Sequence, residues 1–348
     1  MTAKSFRLFA GGVALAAIAS FIAPAMAADR VNIYSYRQPD LMKPVLDAFT
    51  AETGIATELL FLDKGLEERI AAEGANSPAD VILATDISRL ALAAEKDIVQ
   101  SVDDPGLAAA VPAEYRDPAG KWFGVTQRAR VVYVSKDRVK DEAIAWSDLA
   151  DPKWKGRVCM RSAQHDYNLA LVAAMIGHWG EAKTGEFLTG LKANLTRKPD
   201  GNDRGQAKAI FSGECDIGLG NTYYVGLMAN NEKEPEQKDW ANAIRVIFPT
   251  FENGLAHVNL SGMAMAKNAP HKQAALKLMQ FLAGPKAQEI YAAQVYEYPV
   301  AAGAKPSDFV AGLGELKADD QPLAAIAANR KAASELIDRV GVDDGPGS

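Results

Sequence analysis

Residues 30–61 read RVNIYSYRQPDLMKPVLDAFTAETGIATELLF, and this stretch decides the fold class. Residues 31–34 favour a strand, and residues 41–53 carry apolar side chains at helical spacing before Gly54, a frequent residue type just after a helix. Residues 57–61 return to the strand pattern. Strand, helix and strand in this order are typical of a βαβ unit, so the chain is predicted to belong to the α/β class.

The alternation of strands and helices continues beyond this unit. Further strands are predicted at residues 80–83, 130–135, 157–160, 215–219, 244–249 and 262–266. Further helices are predicted at residues 66–73, at residues 184–191, from about residue 203, and at residues 272–282, 285–294 and 323–340. This set implies two α/β units, and the later strands could return the chain to the first of them.

The length of the chain also favours two units, because about 320 residues exceed what one compact core usually holds. We therefore predict two lobes with a central cleft and a hinge. The first lobe is expected to contain residues 28–127 with about 252–300, and the second residues 128–251 with about 301–348.

The first 27 residues have the pattern of an export signal. Lys4 and Arg7 supply a positive start, residues 11–22 an apolar stretch, and Ala25-Met26-Ala27 a small-residue cleavage site. The apolar stretch is too short for a comfortable membrane span. The mature protein is therefore expected to begin after this site and to lie in the periplasm.

The charge balance argues against nucleic acid and anionic membranes as partners. The whole chain contains 38 basic and 44 acidic side chains. Removal of the signal takes away Lys4 and Arg7 and leaves 36 minus 44, a net charge of −8.

Two cysteines occur in the chain, Cys159 and Cys215. An exported chain meets an oxidising compartment, so a disulfide between them is predicted, and two separate buried thiols are the alternative. A closed loop of this length would stabilise the fold by roughly 4 kcal/mol in the chain-entropy model.

Three tyrosines, Tyr36, Tyr167 and Tyr223, lie just beyond the ends of predicted strands and at the starts of predicted helices. In open α/β sheets ligands bind at that edge. The two cysteines precede Tyr167 and Tyr223 by the same eight residues. If the disulfide holds the two strands side by side in register, Tyr167 should converge with Tyr223 and the adjacent Tyr224.

Phenol side chains gathered at one sheet edge suit a hard cation. A tyrosine has a pKa of about 10 and stays neutral at pH 7 unless a highly charged cation replaces its proton. The four histidines show no zinc spacing, and the chain contains no EF-hand loop. Phenolate oxygens without soft ligands favour Fe³⁺.

Other interpretations of the tyrosines stay open at this point. Tyrosines also line apolar clefts for sugars, peptides and amino acids, or fill cores. Tyr223 and Tyr224 should point about 100° apart on a helix, so we expect that they are not both core residues. Tyr34 shares a strand face with Tyr36 but lies within the strand, and we assign it to packing.

An enzyme is not expected from the motifs in this sequence. The chain has no Gly-x-Ser-x-Gly elbow and no His-Glu metalloprotease motif. It also offers no nucleophilic cysteine outside the predicted disulfide.

Several stretches together are characteristic of one protein family. The most specific is GECDIGLGNTYY at residues 213–224. Supporting stretches are YSYRQ at residues 34–38, RAR at 128–130, DPKWKGR at 151–157 and EYPV at 297–300. In these stretches the sequence resembles the periplasmic ferric-ion-binding proteins of ABC transporters. The resemblance runs over nearly the whole mature chain and implies the two-lobed type II periplasmic-binding-protein fold, with a central ligand cleft and a hinge.

By position, the resemblance implies that Tyr167 and the pair at residues 223–224 bind Fe³⁺ from the second lobe. Many relatives have a His-Tyr pair in the first loop, where this chain has Gln38 and Pro39, so those ligands are absent. Tyr36 resembles the tyrosine used by a subgroup of the family and is predicted as the fourth phenolate. Gln38 stays open as a weak oxygen ligand.

The charge of such a site implies a role for arginine. Fe³⁺ with four phenolates carries a net charge of −1, which is costly to bury alone. Arg128 is predicted to offset this charge, directly or through water. Arg37 and Arg204 are the next candidates for the same role. If only three tyrosines bind, the cluster is neutral, and water or carbonate would take the open positions.

The resemblance implies a carrier that delivers Fe³⁺ to an inner-membrane ABC permease and its ATPase. We expect this carrier to be a monomer. A carrier of the same fold for an organic anion or a polyamine is the alternative.

Overall fold

The fold is described for residues 1–2 and 29–347 in a computed structural model. The predicted export signal therefore lies outside the described residues, apart from its first two. The strands of the described part are β1 (Arg30–Ser35), β2 (Ala56–Phe61), β3 (Val81–Ala84), β4 (Phe123–Ser135), β5 (Val158–Cys159), β6 (Ile217–Asn221), β7 (Ile244–Ile247), β8 (Val258–Met265) and β9 (Tyr298–Pro299).

The helices are α1 (Pro39–Thr53), α2 (Leu66–Glu73), α3 (Ile87–Glu95), α4 (Pro105–Ala110), α5 (Asp166–Asn194), α6 (Asp203–Phe211), α7 (Thr222–Ala229), α8 (Gln237–Ala243), α9 (Lys272–Ala283), α10 (Pro285–Ile290), α11 (Asp308–Ala311), α12 (Leu323–Ala328) and α13 (Arg330–Val340). A π-helical turn, Tyr291–Val295, continues α10. In the part of the chain that is described, none of these helices combines the length and the apolar character that a bilayer span requires.

Local sequence accounts for several helix ends. α1 ends at Gly54, whose φ of 71° is readily adopted only without a side chain. α3 begins after Asp86, whose carboxylate accepts a hydrogen bond from the Ser88 backbone N–H at 2.9 Å. α6 begins in the same way after Asn202, which accepts from the Gly205 N–H at 3.1 Å. These caps fix where each helix starts relative to the sheet.

One mixed sheet contains all nine strands of the described residues, in the order β2-β1-β3-β8-β4-β6-β5, with β7 and β9 both paired to β4. β1 is parallel to β2 and β3, and β5 is parallel to β6. In β4, residues 123–129 pair with β8, whereas residues 130–134 pair with β6. The long strand β4 therefore joins the two halves of the sheet.

Three hydrophobic cores lie along this sheet. The first contains side chains from residues 31–125 and 260–300. The other two contain side chains from residues 129–258 and 326–342. We call the elements around the first core the first lobe and those around the other two the second lobe. The lobe boundaries predicted from the sequence stay a prediction.

The α/β prediction is confirmed, whereas several predicted elements differ from those observed. The helix predicted at residues 184–191 is part of the longer α5, and the strands predicted at 215–219 and 262–266 correspond to β6 and β8 with shifted bounds. The strand predicted at residues 130–135 is only the second half of β4, because residues 123–129 find a partner in the distant strand β8. The single helix predicted at residues 323–340 is wrong, because the chain forms α12 and α13 on either side of Asn329.

Candidate metal centre

The four predicted tyrosines follow the ends of strands. Tyr36 comes directly after β1, and its backbone N–H donates to the carbonyl of Leu83 in β3 at 3.0 Å. Tyr167 is the second residue of α5. Tyr223 and Tyr224 are the second and third residues of α7, which follows β6 without a loop. Tyr36 and the α7 pair thus follow their strands at once, whereas Tyr167 is reached through a loop of residues 160–165 after β5.

The three tyrosines of the second lobe contact one another, and we call them the tyrosine cluster. The hydroxyl oxygens of Tyr167 and Tyr223 lie 3.1 Å apart. The ring centroids of Tyr223 and Tyr224 lie 4.2 Å apart, with 31° between the ring planes. The predicted convergence of these side chains is therefore confirmed.

Both tyrosines of the pair are buried, with only 4% of Tyr223 and 7% of Tyr224 exposed. From the sequence we expect that the two are not both core residues; both are buried, but neither belongs to the three hydrophobic cores described above. The two rings pack against each other, and the guanidinium of Arg204 lies 5.0 Å from the ring centroid of Tyr224. Arg204 is therefore in contact with the cluster, and its role in offsetting the charge of a metal centre stays a prediction.

The predicted disulfide between Cys159 and Cys215 is present, with Cα atoms 6.0 Å apart. The register expected from it is wrong, because Cys159 pairs with Gly218 and Cys215 lies before β6 begins. β5 and β6 are nevertheless parallel neighbours, so the segments after them leave the sheet at the same edge. Parallel pairing, and not the equal spacing from the cysteines, brings the tyrosines together.

Tyr36 belongs to a different set of contacts. Its hydroxyl donates to the carboxylate of Glu67 and accepts from the backbone N–H of Leu66 at 3.1 Å, both in α2. The guanidinium of Arg89 lies 4.9 Å from its ring centroid. The structure therefore gathers three of the four predicted ligands, while the hydroxyl of Tyr36 is occupied by α2.

Three guanidinium groups surround the ring of Tyr167. Those of Arg128, Arg130 and Arg161 lie 5.3, 5.9 and 5.3 Å from its centroid. Arg128 is among the predicted residues, and the other two are not. Arg161 directly follows the strand predicted at residues 157–160, so the rule that finds Tyr167 could also have found it. Arg130 lies inside a strand, and only tertiary pairing brings it here.

Asp203 neutralises part of this positive charge. Its carboxylate accepts from Arg130 at 2.7 Å and from Arg161 at 3.2 Å, and it is fully buried. Burial alone would raise the pKa of Asp203, but the two arginines together lower it. The arginines in contact with the cluster outnumber this carboxylate, so the surroundings favour ligands that carry negative charge.

Two of the predicted arginines share one hydroxyl group. Nη2 of Arg37 donates to Ser261 Oγ at 2.6 Å and to Glu297 at 2.7 Å, and Nη1 of Arg128 donates to the same Oγ at 3.0 Å. Nη2 of Arg128 donates to the carbonyl of Thr85. Glu297 compensates the charge of Arg37, whereas these partners of Arg128 are neutral. Arg128 is thus the better placed of the two to offset a negative centre.

Burial has a direct effect on the phenol groups. It raises the pKa of Tyr223 well above the ordinary value, and the neighbouring Tyr167 and Tyr224 contribute further. Burial likewise raises the pKa of Tyr224, and burial together with Glu67 raises that of Tyr36. These phenols keep their protons at neutral pH unless a cation replaces them.

Other metal donors are not grouped in the part of the chain that is described: no cluster of three or more His, Cys, Asp or Glu side chains could hold an ion there. Gln38, the weak alternative ligand, is exposed at the start of α1. His165 packs edge-on against Tyr167 at 4.5 Å, and burial with nearby Arg161 lowers its pKa to about 4. The tyrosine cluster is therefore the metal-binding candidate among the described residues.

Known proteins are similar to this chain over most of its length. "Iron uptake protein A1" of Synechocystis sp. is 42% identical over 314 residues, which cover 89% of this chain and 87% of that protein. "Fe(3+)-binding periplasmic protein" of Serratia marcescens is 30% identical over 95% of this chain and 97% of its own length. The apo ferric ion-binding protein A of Pasteurella haemolytica superimposes with a TM-score of 0.87 at 48% identity, covering 91% of this chain and 99% of that one.

A sequence model of one family matches the central part of the chain, residues 76–312. The match spans most of both lobes and includes the three residues of the tyrosine cluster. Together with the shared two-lobed architecture, it identifies the chain as a member of the bacterial extracellular solute-binding proteins.

Proposed function

We propose that this protein is a periplasmic carrier that binds Fe³⁺ through tyrosine phenolates and delivers it to an inner-membrane ABC permease. The observation that carries the proposal is the tyrosine cluster, in which two hydroxyl oxygens lie 3.1 Å apart among an excess of guanidinium groups. Phenolates this close repel each other unless a cation binds them, and a hard trivalent ion suits phenolate oxygen. The names of the similar proteins support iron as the cargo.

We propose Tyr167, Tyr223 and Tyr224 as the ligands from the second lobe and Tyr36 as the fourth phenolate. With four phenolates the centre carries a charge of −1, which Arg128 and Arg204 are suited to offset. Tyr36 can join only by giving up its hydrogen bond to Glu67. With three phenolates the centre is neutral, and water or carbonate would fill its open positions.

The two lobes would act as a clamp. We propose that the first lobe contains residues 28–127 with about 252–300, the second residues 128–251 with about 301–348, and that the hinge lies where β4 and β8 pass between them. Iron would meet the tyrosine cluster first, and closure would then bring Tyr36 to it. Differential binding of iron by the closed form would shift the population toward closure.

We propose that the segment before residue 28 directs export, that the carrier works as a monomer, and that the permease is driven by a cytoplasmic ATPase. We propose that the protein is a carrier and not an enzyme.

Colour tests the proposed cargo directly. Ferric phenolate absorbs visible light by charge transfer, so protein loaded with ferric citrate should become orange to red. The double variant Tyr223→Phe, Tyr224→Phe should stay colourless and bind Fe³⁺ at least about 100-fold more weakly, because it lacks ligands and not only their supporting contacts.

Tyr34→Phe is the matched control. It also removes a tyrosine hydroxyl, but that hydroxyl donates to Glu73 and lies outside the tyrosine cluster. It should colour like the parent protein. Binding of Fe³⁺ by the double variant as tightly as by the parent would exclude the tyrosine site. Parent protein that stays colourless but binds an organic anion or a polyamine would favour the alternative cargo.

A further inference from the structure

Arg89 lies at the junction of the two lobes. It belongs to α3 of the first lobe, and its Nε and Nη2 donate to the carboxylate of Asp166 at 3.2 and 3.1 Å. Asp166 is the first residue of α5 in the second lobe and the immediate neighbour of Tyr167. The two side chains are 20% and 24% exposed, so water screens this ion pair only in part.

The same guanidinium also contacts the first-lobe tyrosine. It lies 4.9 Å from the ring centroid of Tyr36, and its Nη1 lies 3.8 Å from the carboxylate of Glu67. Glu67 is the group that accepts the hydrogen bond of Tyr36. One arginine therefore contacts Tyr36, the partner of its hydroxyl, and the opposite lobe.

A second arginine joins the lobes at the same place. Arg330, the first residue of α13, is paired with Asp166, and its Nη1 donates to Ser88 Oγ in α3 at 2.8 Å. Asp166 is thus held by one arginine from each lobe. This arrangement fixes the distance between α3 and the start of α5, and with it the position of Arg89 over Tyr36.

We propose that Arg89 is a positioning residue that couples the joining of the lobes to the placement of Tyr36. Two carboxylates, Asp166 and Glu67, compete for its guanidinium. When the lobes are together, Asp166 holds Arg89 with three contacts of 3.1–3.3 Å and keeps its guanidinium over the ring of Tyr36. When the lobes separate, Glu67 becomes the remaining carboxylate partner of Arg89, and the guanidinium is no longer held over the ring of Tyr36. The proposal rests on the proposed function for the identity of the ligand that Tyr36 meets.

The coupling between the joining of the lobes and the placement of Tyr36 is measured by the rate of iron release to an excess of a strong synthetic chelator. Loss of the visible band reports this release. Arg89→Gln should release iron about tenfold faster than the parent, because it removes a charge-assisted bidentate contact. Asp166→Asn should act similarly, and the double variant should be no faster than the more affected single variant. Arg89→Lys should release iron at a rate between those of the parent and Arg89→Gln, since lysine keeps the positive charge but cannot bind a carboxylate through two N–H groups.

Arg339→Gln is the matched control, since it removes an exposed arginine paired at 3.5 Å with Glu181 on the surface. It should release iron like the parent. The visible band reports on Tyr36 itself: in Arg89→Gln it should shift toward the band of Tyr36→Phe, a change that a general loss of stability would not produce. Release from Arg89→Gln at the control rate, or an unshifted band, would overturn the proposal while leaving the carrier function intact.

Small-angle X-ray scattering of metal-free protein separates the two proposals. The radius of gyration of Arg89→Gln should exceed those of the parent and of Arg339→Gln, whatever the cargo. Equal radii would overturn the role of Arg89 in joining the lobes. A colourless parent with the expected difference in radius would overturn iron binding alone.

Discussion

At the scale of single residues, His257 makes stability depend on pH. It lies just before β8 with 1% of its surface exposed, and among the described residues neither ring nitrogen has a hydrogen-bond partner. Burial lowers its pKa to about 3. In the unfolded chain His257 binds a proton below about pH 6.5, whereas in the folded protein it stays neutral down to about pH 3. The free energy of unfolding should therefore fall as the pH falls from about 6.5 toward 3.

His257→Leu should remove this dependence. Between about pH 7 and about pH 4.5 the parent should lose about 2–3 kcal/mol more unfolding free energy than the variant, from two pH units of linkage. Urea titrations at the two pH values measure the difference. Parallel losses in parent and variant would mean that His257 is protonated in the folded protein.

The sequence is informative about residues whose role follows from a strand end. Tyr36, Tyr167 and Tyr223 are predicted because parallel strands deliver their following residues to one edge of the sheet. Glu67 is not predictable in this way, because its contact with Tyr36 depends on how α2 packs after a turn at Gly65. A residue such as Glu67, which supports a site residue through a hydrogen bond, is brought there by tertiary packing. The local sequence pattern does not predict that packing.

At the scale of elements, β6 leads directly into the helix that carries the tyrosine pair. Gly220 of β6 lies against the ring of Tyr133 in β4, so a methyl group at this position would overlap that ring. Tyr133 is fully buried, and its hydroxyl donates to the carbonyl of Asn221. Gly220→Ala should lower the unfolding free energy by about 1–3 kcal/mol through overpacking, as measured by urea titration.

Gly205→Ala is the control for the same chemical change. The nearest atom to an added methyl there is 3.9 Å away, and the residue lies in α6. Alanine favours a helix over glycine by up to about 1 kcal/mol, so this variant should be as stable as the parent or slightly more stable. Equal stability of the two variants would show that β6 moves to accept the methyl group.

Elements formed by local pattern are predictable, and those formed by distant pairing are not. The first βαβ unit agrees with the structure because its strands and helix each fit the local period of apolar residues. β4 is predicted at half its length, because residues 123–129 are held by β8, a strand far along the chain. Local pattern therefore does not reveal the half of β4 that pairs with β8 and joins the two halves of the sheet.

At the scale of the whole molecule, the disulfide limits the freedom of the unfolded chain. It closes a segment whose ends are 56 residues apart. The double variant Cys159→Ser, Cys215→Ser should unfold with a free energy about 4 kcal/mol lower than the parent. Guanidinium titration measures this, and treatment of the parent with dithiothreitol should give the same loss. Unchanged stability on reduction would show that the disulfide does not restrict the unfolded chain in the way that this estimate assumes.

The first core also constrains the order in which the molecule can fold during synthesis. It needs side chains from residues 260–300, so the N-terminal lobe stays incomplete until a ribosome has made most of the chain. Until then β3 lacks its antiparallel neighbour β8, and its edge is open. Such a delay would leave the apolar side chains of this lobe uncovered during most of synthesis and would lengthen the time for which the nascent polypeptide needs chaperones.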